Sequence, residues 1–229
     1  MFVQLLTHTP EPEQVVVAAA RLCYSASSIG ELLEKSATNR RAFLGKILSL
    51  GHLSVLEHAS FTFGIEGVSR ACSHQLVRHR LASYSQQSQR YVSHKERFTA
   101  VTPPGIAAEP ELKALFESAL EQAHAAYREL VERGVAAEDA RFVLPNAAET
   151  KLVMTMNARE LWHFFNLRCC RRAQWEIRAM ATEMLRLARR AAPLLFADAG
   201  PGCLKGACPE GAMSCGAMVE VRKEFADLS

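Results

Sequence analysis

The chain has 229 residues, 49% apolar and 22% charged, which fits one large domain, or one domain with a helical extension, and excludes a disordered chain. A formal net charge of +3 is too small to make a nucleic-acid binder from the total alone. Seven cysteines, an odd number spread along a chain with no export signal, argue against a disulfide scaffold, so reduced thiols are expected.

The first residues, Met1 to His8, carry no basic lead-in and soon meet Pro10, Glu11 and Glu13, unlike a signal peptide. The apolar run Val15 to Ala20 is far too short to span a membrane, so no membrane partner is expected and the expected compartment is the cytoplasm. Phe2 to Thr7 reads as a strand, and Glu13 to Arg21 as a helix with Pro12 near its start. Arg40 to Leu50 reads as a helix that stops at Gly51. Phe61, Phe63 and Ile65 alternate with Thr62, Gly64 and Glu66, the period of a half-buried strand. From Val68 the apolar spacing changes to three and four, which predicts a helix running into Arg78-His79-Arg80. Ser83 to Ser93 has little apolar periodicity and reads as a polar loop, and Pro103, Pro104 and Gly105 punctuate the chain beyond it.

The clearest helix carries an apolar stripe from Leu112 to Val131, begun by Pro110 and ended by Gly134. Such a stripe must pack on a sheet or on another subunit. Leu152, Met154 and Met156 alternate with Lys151, Val153 and Thr155 and predict another strand. Asn157 then reads as an N-cap, with Glu160 three residues on as in a capping box. Ile177 to Ala191 forms a last long amphipathic helix that stops near Pro193. There is no internal repeat and no linker, so residues 1–229 read as a single domain with a Cys- and Gly-rich tail from about residue 199.

Chemistry concentrates in Arg78 to Tyr91. Three cations are followed by serines, glutamines and a fourth cation, a set of donors suited to an anionic ligand such as a nucleotide. A basic helix end facing water accounts for the same composition. On a helix starting near Ala158, residues Arg159, His163 and Asn166 share one face, either a cofactor wall or a solvated surface, while Leu161, Phe164 and Phe165 point to a core. Arg141, before an apolar segment, is a candidate phosphate contact. No glycine-rich nucleotide fingerprint of either common kind is present, so a bound dinucleotide would be held by side chains. Cys203, Cys208 and Cys215 are spaced more widely than structural zinc ligands, which favours free thiols, and no metal site is expected.

Arg78-His79-Arg80, then seven residues, then Ser88 resembles the signature of the flavin-dependent thymidylate synthases, with Ser83, Ser88 and Arg90 at the family's spacings. Gly51-His52-Leu53-Ser54-Val55-Leu56-Glu57-His58 resembles the family's His-and-Glu segment. Ala140 to Pro145, Asn157-Ala158-Arg159, Asn166-Leu167-Arg168 and Ala173 to Ile177 match further blocks in order. The resemblance implies an α/β fold with a central, mostly antiparallel sheet and long flanking helices, assembled as a homotetramer with sites at subunit interfaces. It implies conversion of dUMP to dTMP, with methylenetetrahydrofolate as carbon donor, FAD as hydride carrier and NADPH as reductant.

By position, the resemblance places Ser54, Arg78, His79, Arg80, Gln86, Asn157, Arg159 and His163 at FAD. It places Gln75, Arg78, Gln86, Gln87, Ser88, Gln89, Arg90, Arg141 and Arg168 at dUMP, with Arg168 and Ser88 in the catalytic group. Many members carry Asn-Glu where this chain has Ser85-Gln86, and some have Asn at the position of His163. Two rival readings are a nucleic-acid-binding protein using Arg78 to Arg90, disfavoured by the modest net charge, and a cysteine-dependent zinc or redox protein using the tail.

Overall fold

The computed structural model describes residues 1–92 and 98–228. Ser93, the end of the loop expected from the sequence, and Ser229 of the tail lie outside the described residues. In chain order the elements are β1 (Phe2–His8), α1 (Pro12–Leu22), α2 (Ile29–Lys35), α3 (Arg40–Ser49), β2 (Ser60–Ser69), α4 (Arg70–Leu76) and β3 (Ala82–Gln86). There follow α5 (Pro104–Ala107), α6 (Pro110–Glu132), α7 (Ala137–Ala140), β4 (Glu149–Asn157), α8 (Ala158–Arg168), α9 (Trp175–Ala191), α10 (Pro193–Phe196) and α11 (Met218–Ala226). The four strands form one sheet in the order β1-β2-β4-β3.

Register follows from contacts at opposite ends of each pair. Thr9 N–H donates to Ser60 C=O at 2.9 Å where β1 ends and β2 begins. At the other end Gly67 lies against the Met1 backbone, 3.2 Å from the position its Cβ would take. Between β2 and β4, Thr62 and Thr155 share a hydrogen bond of 2.9 Å, and Arg70 N–H donates to Ala148 C=O at 3.0 Å. Both pairs are therefore antiparallel, and the fold is α/β with a four-stranded antiparallel sheet.

The chain forms two compact units. One comprises Val3–Gly64, His79–Tyr84 and Met154–Ser229; the other comprises Met1–Phe2, Ile65–Arg78 and Ser85–Val153. In the first, Val16, Val17, Phe61, Phe63, Met154, Met156, Phe164, Phe165, Met180, Met184 and Phe196 are fully or almost fully buried. Phe196 meets Phe61 and Phe165 edge to face, with ring centroids 5.2 and 5.9 Å apart. Each such side chain contributes roughly 1.5–3 kcal/mol by leaving water, which makes this core the base on which α8 stands. In the second unit, α6 buries Tyr127 while Leu112 and Leu115 stay 41% and 69% exposed. Of the expected stripe, Tyr127 alone is buried, Phe116, Leu120, Ala123, Leu130 and Val131 are partly covered, and Leu112, Leu115, Ala119 and Ala126 are open.

Three readings of the sequence change. The helix expected from Val68 into Arg80 is shorter: β2 runs to Ser69, whose hydroxyl accepts from Cys72 N–H at 3.0 Å and starts α4 there. Helix α4 ends at Leu76, which leaves Arg78-His79-Arg80 beyond it. The polar loop expected from Ser83 begins instead as strand β3, because a strand needs a backbone partner more than apolar side chains, and Gln87 N–H reaches Lys151 C=O at 2.9 Å. Helix α2 was not anticipated. A reciprocal cap starts it, with Ser28 N–H donating to the Glu31 carboxylate at 2.9 Å and Glu31 N–H to Ser28 Oγ at 3.4 Å.

Candidate functional site

Asn157 ends β4 and begins α8. Its side chain accepts from Glu160 N–H at 2.9 Å, as the N-cap reading expects. The Glu160 carboxylate does not return to the cap. It is buried at 6% exposure, with Oε1 3.1 Å from Nδ1 of His79, a residue 4% exposed. On the far side of the imidazole, Arg168 Nε donates to His79 Nε2 at 3.1 Å. A guanidinium can only donate, so Nε2 carries the lone pair and the proton sits on Nδ1, facing Glu160. His79 is thus a neutral ring, and burial pushes its pKa down, the Glu160 hydrogen bond opposes this, and the Arg168 charge adds to the lowering. Phe164 packs edge-on to the ring at 5.0 Å, and Tyr84 O–H donates to the His79 carbonyl at 2.9 Å.

The exposed face of α8, Trp162 included, lines a cavity of about 710 Å3 together with Leu53, Glu57 and Leu81. Asn157, Arg159, His163 and Asn166 supply its polar wall, so the face read from helical spacing is a cavity wall. Arg159 is held there by an ion pair with Glu57, in the short 3-10 helix Leu53–His58 that also carries the exposed Ser54. Arg80 is exposed, beside the buried His79. Ligand atoms of His79, Glu160 and His163 lie within 4.8 Å of one another, but both ring nitrogens of His79 are already engaged and Arg168 repels a cation.

In the other unit, Gln86 gives both amide hydrogens to hydroxyls, those of Ser73 and Thr150, each at 3.0 Å. Ser88 Oγ accepts from Arg90 N–H at 3.2 Å and Ser88 C=O from Val92 N–H at 3.0 Å, which fixes a turn through Gln89. Arg90 and Arg141 meet on one residue: Arg90 binds the Glu138 carboxylate, and Arg141 Nε donates to the Glu138 carbonyl at 3.0 Å. Arg70 joins this cationic group, its pKa lowered by burial and then by Arg141. Gln75 stands on α4 and Arg78 is exposed past its end.

The sequence does not single out Glu138 or Arg70, and it offers Glu160 only as a capping partner of Asn157 and Glu57 only within the segment Gly51 to His58. For Glu160 a signal existed: it lies one turn before Phe164 on the face that buries Leu161 and Phe165, where a carboxylate needs a partner. Cys169, next to Arg168, is buried, and that burial raises its thiol pKa to about 12. All seven cysteines are free thiols. The tail is held by main-chain contacts: Arg222 donates to the carbonyls of Cys203 and Gly206 at 2.9 and 2.7 Å. Arg189 of α9 donates to the carbonyls of Phe196, Ala199, Phe225 and Leu228 at 2.8 to 3.2 Å. Gly202 lies so close to α8 that a Cβ there would come within 2.8 Å of Pro209 Cγ and 3.2 Å of the Asn166 amide.

Together these features define an α/β protein with arginine, imidazole and amide groups on α8 in one unit and arginine and amide groups on the turn after β3 in the other. A family model described as thymidylate synthase complementing protein matches residues 4–194, and the chain belongs to that family. It is 64% identical over 231 residues to the flavin-dependent thymidylate synthase of Geobacter sulfurreducens, covering 100% of both chains. The protein of that name from Clostridium tetani is 48% identical over 240 residues, with 97% of this chain and 96% of the relative covered. For Pyrococcus furiosus the identity is 45% over 233 residues, with the same two coverages.

Proposed function

We propose that this chain methylates dUMP to dTMP, with methylenetetrahydrofolate as carbon donor, FAD as hydride carrier and NADPH as reductant. Family membership and full-length relatives named flavin-dependent thymidylate synthase support the reading. The observation that carries it is Arg168, anchored through Nε to a buried neutral imidazole. A guanidinium so fixed, set against a uracil carbonyl, favours the N3 anion and moves electron density toward C5, the carbon to be methylated. Gln75, Arg78, Gln86, Gln87, Ser88, Gln89, Arg90 and Arg141 are the other candidate dUMP contacts.

The donor set beside α8 fits FAD. Arg159 and His163 suit a pyrophosphate, Asn157 and Asn166 suit ring carbonyls and hydroxyls, and Leu81 and Trp162 offer apolar surface to a flat ring. Ser54, Arg78 and Arg80 would extend this set. FAD, when bound, supplies the hydride. Residues 1–229 act in this reading as one domain with a Cys- and Gly-rich tail. The working form is a homotetramer with sites at subunit interfaces, and the open Leu112 and Leu115 of α6 suit burial against another copy. Among the described residues no helix is long and apolar enough to cross a membrane, and a cytoplasmic enzyme that binds no nucleic acid is the reading we adopt.

The test is the purified protein itself. It should show flavin absorbance, or bind added FAD stoichiometrically in calorimetry, and form dTMP from the four reactants. A colourless protein that ignores FAD overturns the assignment.

A further inference from the structure

We propose that Glu160 is a positioning residue for Arg168, acting through the imidazole of His79. The inference rests on the reading of Arg168 as the group that activates uracil. Glu160 and Arg168 stand on one helix, about 12 Å apart at 1.5 Å per residue, so neither can hold the other directly. His79 enters from the chain after α4 and bridges them, with Nδ1 3.1 Å from Glu160 Oε1 and Nε2 3.1 Å from Arg168 Nε.

The bridge works only in one protonation state. Arg168 has no lone pair to offer, so His79 must present one at Nε2 and keep its proton on Nδ1. Either of the other states, the opposite tautomer or the imidazolium, places an N–H against the Arg168 N–H and drives the guanidinium away. Glu160 selects the productive state because a carboxylate accepts from Nδ1–H and cannot donate in return. Burial makes the selection firm: both Glu160 and His79 are nine-tenths or more covered, where water cannot substitute for a lost partner. The groups facing His79 are Glu160, His163 and Arg168 from α8 and Tyr84 from β3, flanked in sequence by the exposed Arg78 and Arg80. Glu160 is the only anion in that set, and its hydrogen bond opposes the lowering of the His79 pKa by burial.

Glu160→Gln keeps the shape but can donate to Nδ1 as readily as accept from it, and so frees the tautomer. With FAD-loaded enzyme, turnover should fall by about ten- to a hundredfold, the scale of an ångström of misplacement. The dissociation constant for dUMP should change less than about threefold, because positioning acts on the reacting state. The acidic limb of the rate profile should move to lower pH, since the bond that raised the His79 pKa is gone. In the background of Arg168→Ala, Glu160→Gln should add nothing further. If Arg168→Ala itself keeps its activity, the uracil-activation reading fails; if that variant is dead while folded Glu160→Gln matches the parent in turnover and pH profile, the relay fails. Nitrogen NMR of the unaltered protein gives an independent reading. Protonation of His79 at Nδ1 near neutral pH supports the proposal, and protonation at Nε2 overturns it.

Discussion

Glu138 takes both Nε and Nη2 of Arg90 on a single carboxylate oxygen, at 2.8 and 2.7 Å. The pair is about half exposed, so its own contribution is small, about 0.2–1 kcal/mol by the usual scale of surface pairs. On the proposed reading of Arg90 and Arg141 as dUMP contacts, the pair would keep the guanidinium ordered beside Arg141 before the anion arrives. Glu138→Gln should therefore weaken dUMP binding by no more than about fivefold, the equivalent of about 1 kcal/mol. Arg90→Ala, which removes the cation itself, should weaken it by more than about tenfold. Calorimetric titration with dUMP separates the two; equal losses would show that Glu138 has a larger part than ordering.

Uracil activation can also proceed by thiolate attack at C6, and Cys169 and Cys170 adjoin Arg168. The burial that raises the Cys169 pKa to about 12 keeps that sulfur a thiol at neutral pH. Arg168→Ala should lose dTMP formation by at least about a hundredfold, the scale of removing one electrostatic stabiliser. The Cys169→Ala, Cys170→Ala double variant should keep most of its activity. Single-turnover oxidation of reduced flavin with dUMP and methylenetetrahydrofolate reads both, and a dead double variant beside a healthy Arg168→Ala would reverse the roles.

The neutral state of His79 also ties stability to pH. Its folded pKa lies below the ordinary value of 6.5, so the unfolded chain takes up the proton first as pH falls. Stability is fully present above about pH 6.5 and is lost as pH drops toward the folded value. Thermal unfolding should show the midpoint declining from about pH 6.5 downward, with His79→Gln flattening that part of the curve. A flat profile in the parent protein would contradict a buried neutral imidazole.

Arg189 joins α9 to the ends of α10 and α11 through four carbonyls, none of which has a charge to offer in return. Hydrogen bonds to charged groups contribute about 1.5–3 kcal/mol each. Arg189→Met should therefore speed amide exchange in Met218–Ala226 by about ten- to a hundredfold, while exchange in β4 changes little. Exchange measured by mass spectrometry that leaves α11 untouched would show that Val221 and Phe225 hold it without help.

How much of this was legible follows from the range of each interaction. Strand β4 and helix α9 were read correctly because their partners are written into the sequence as a period, with Thr150, Leu152, Met154 and Met156 buried along one face. Strand β3 was not, because Ser83, Tyr84, Ser85 and Gln86 owe their extended form to β4, far along the chain. The same distance hid the role of Glu160. Local pattern offers it the Asn157 cap three residues away, whereas its carboxylate partner, His79, lies 81 residues off. The α8 stripe was legible as a face, and its position over a cavity depended on Leu53, Glu57 and Leu81 arriving from elsewhere.

The missing side chain at Gly202 carries a consequence for engineering. Because the nearest atoms to its absent Cβ belong to Pro209 and to the Asn166 amide that lines the cavity, any larger residue at 202 must push that amide aside or lift the segment that carries Pro209. Small residues introduced at 202 and 209 would thus reshape the pocket from behind its wall, altering ligand preference while every arginine and histidine stays as it is.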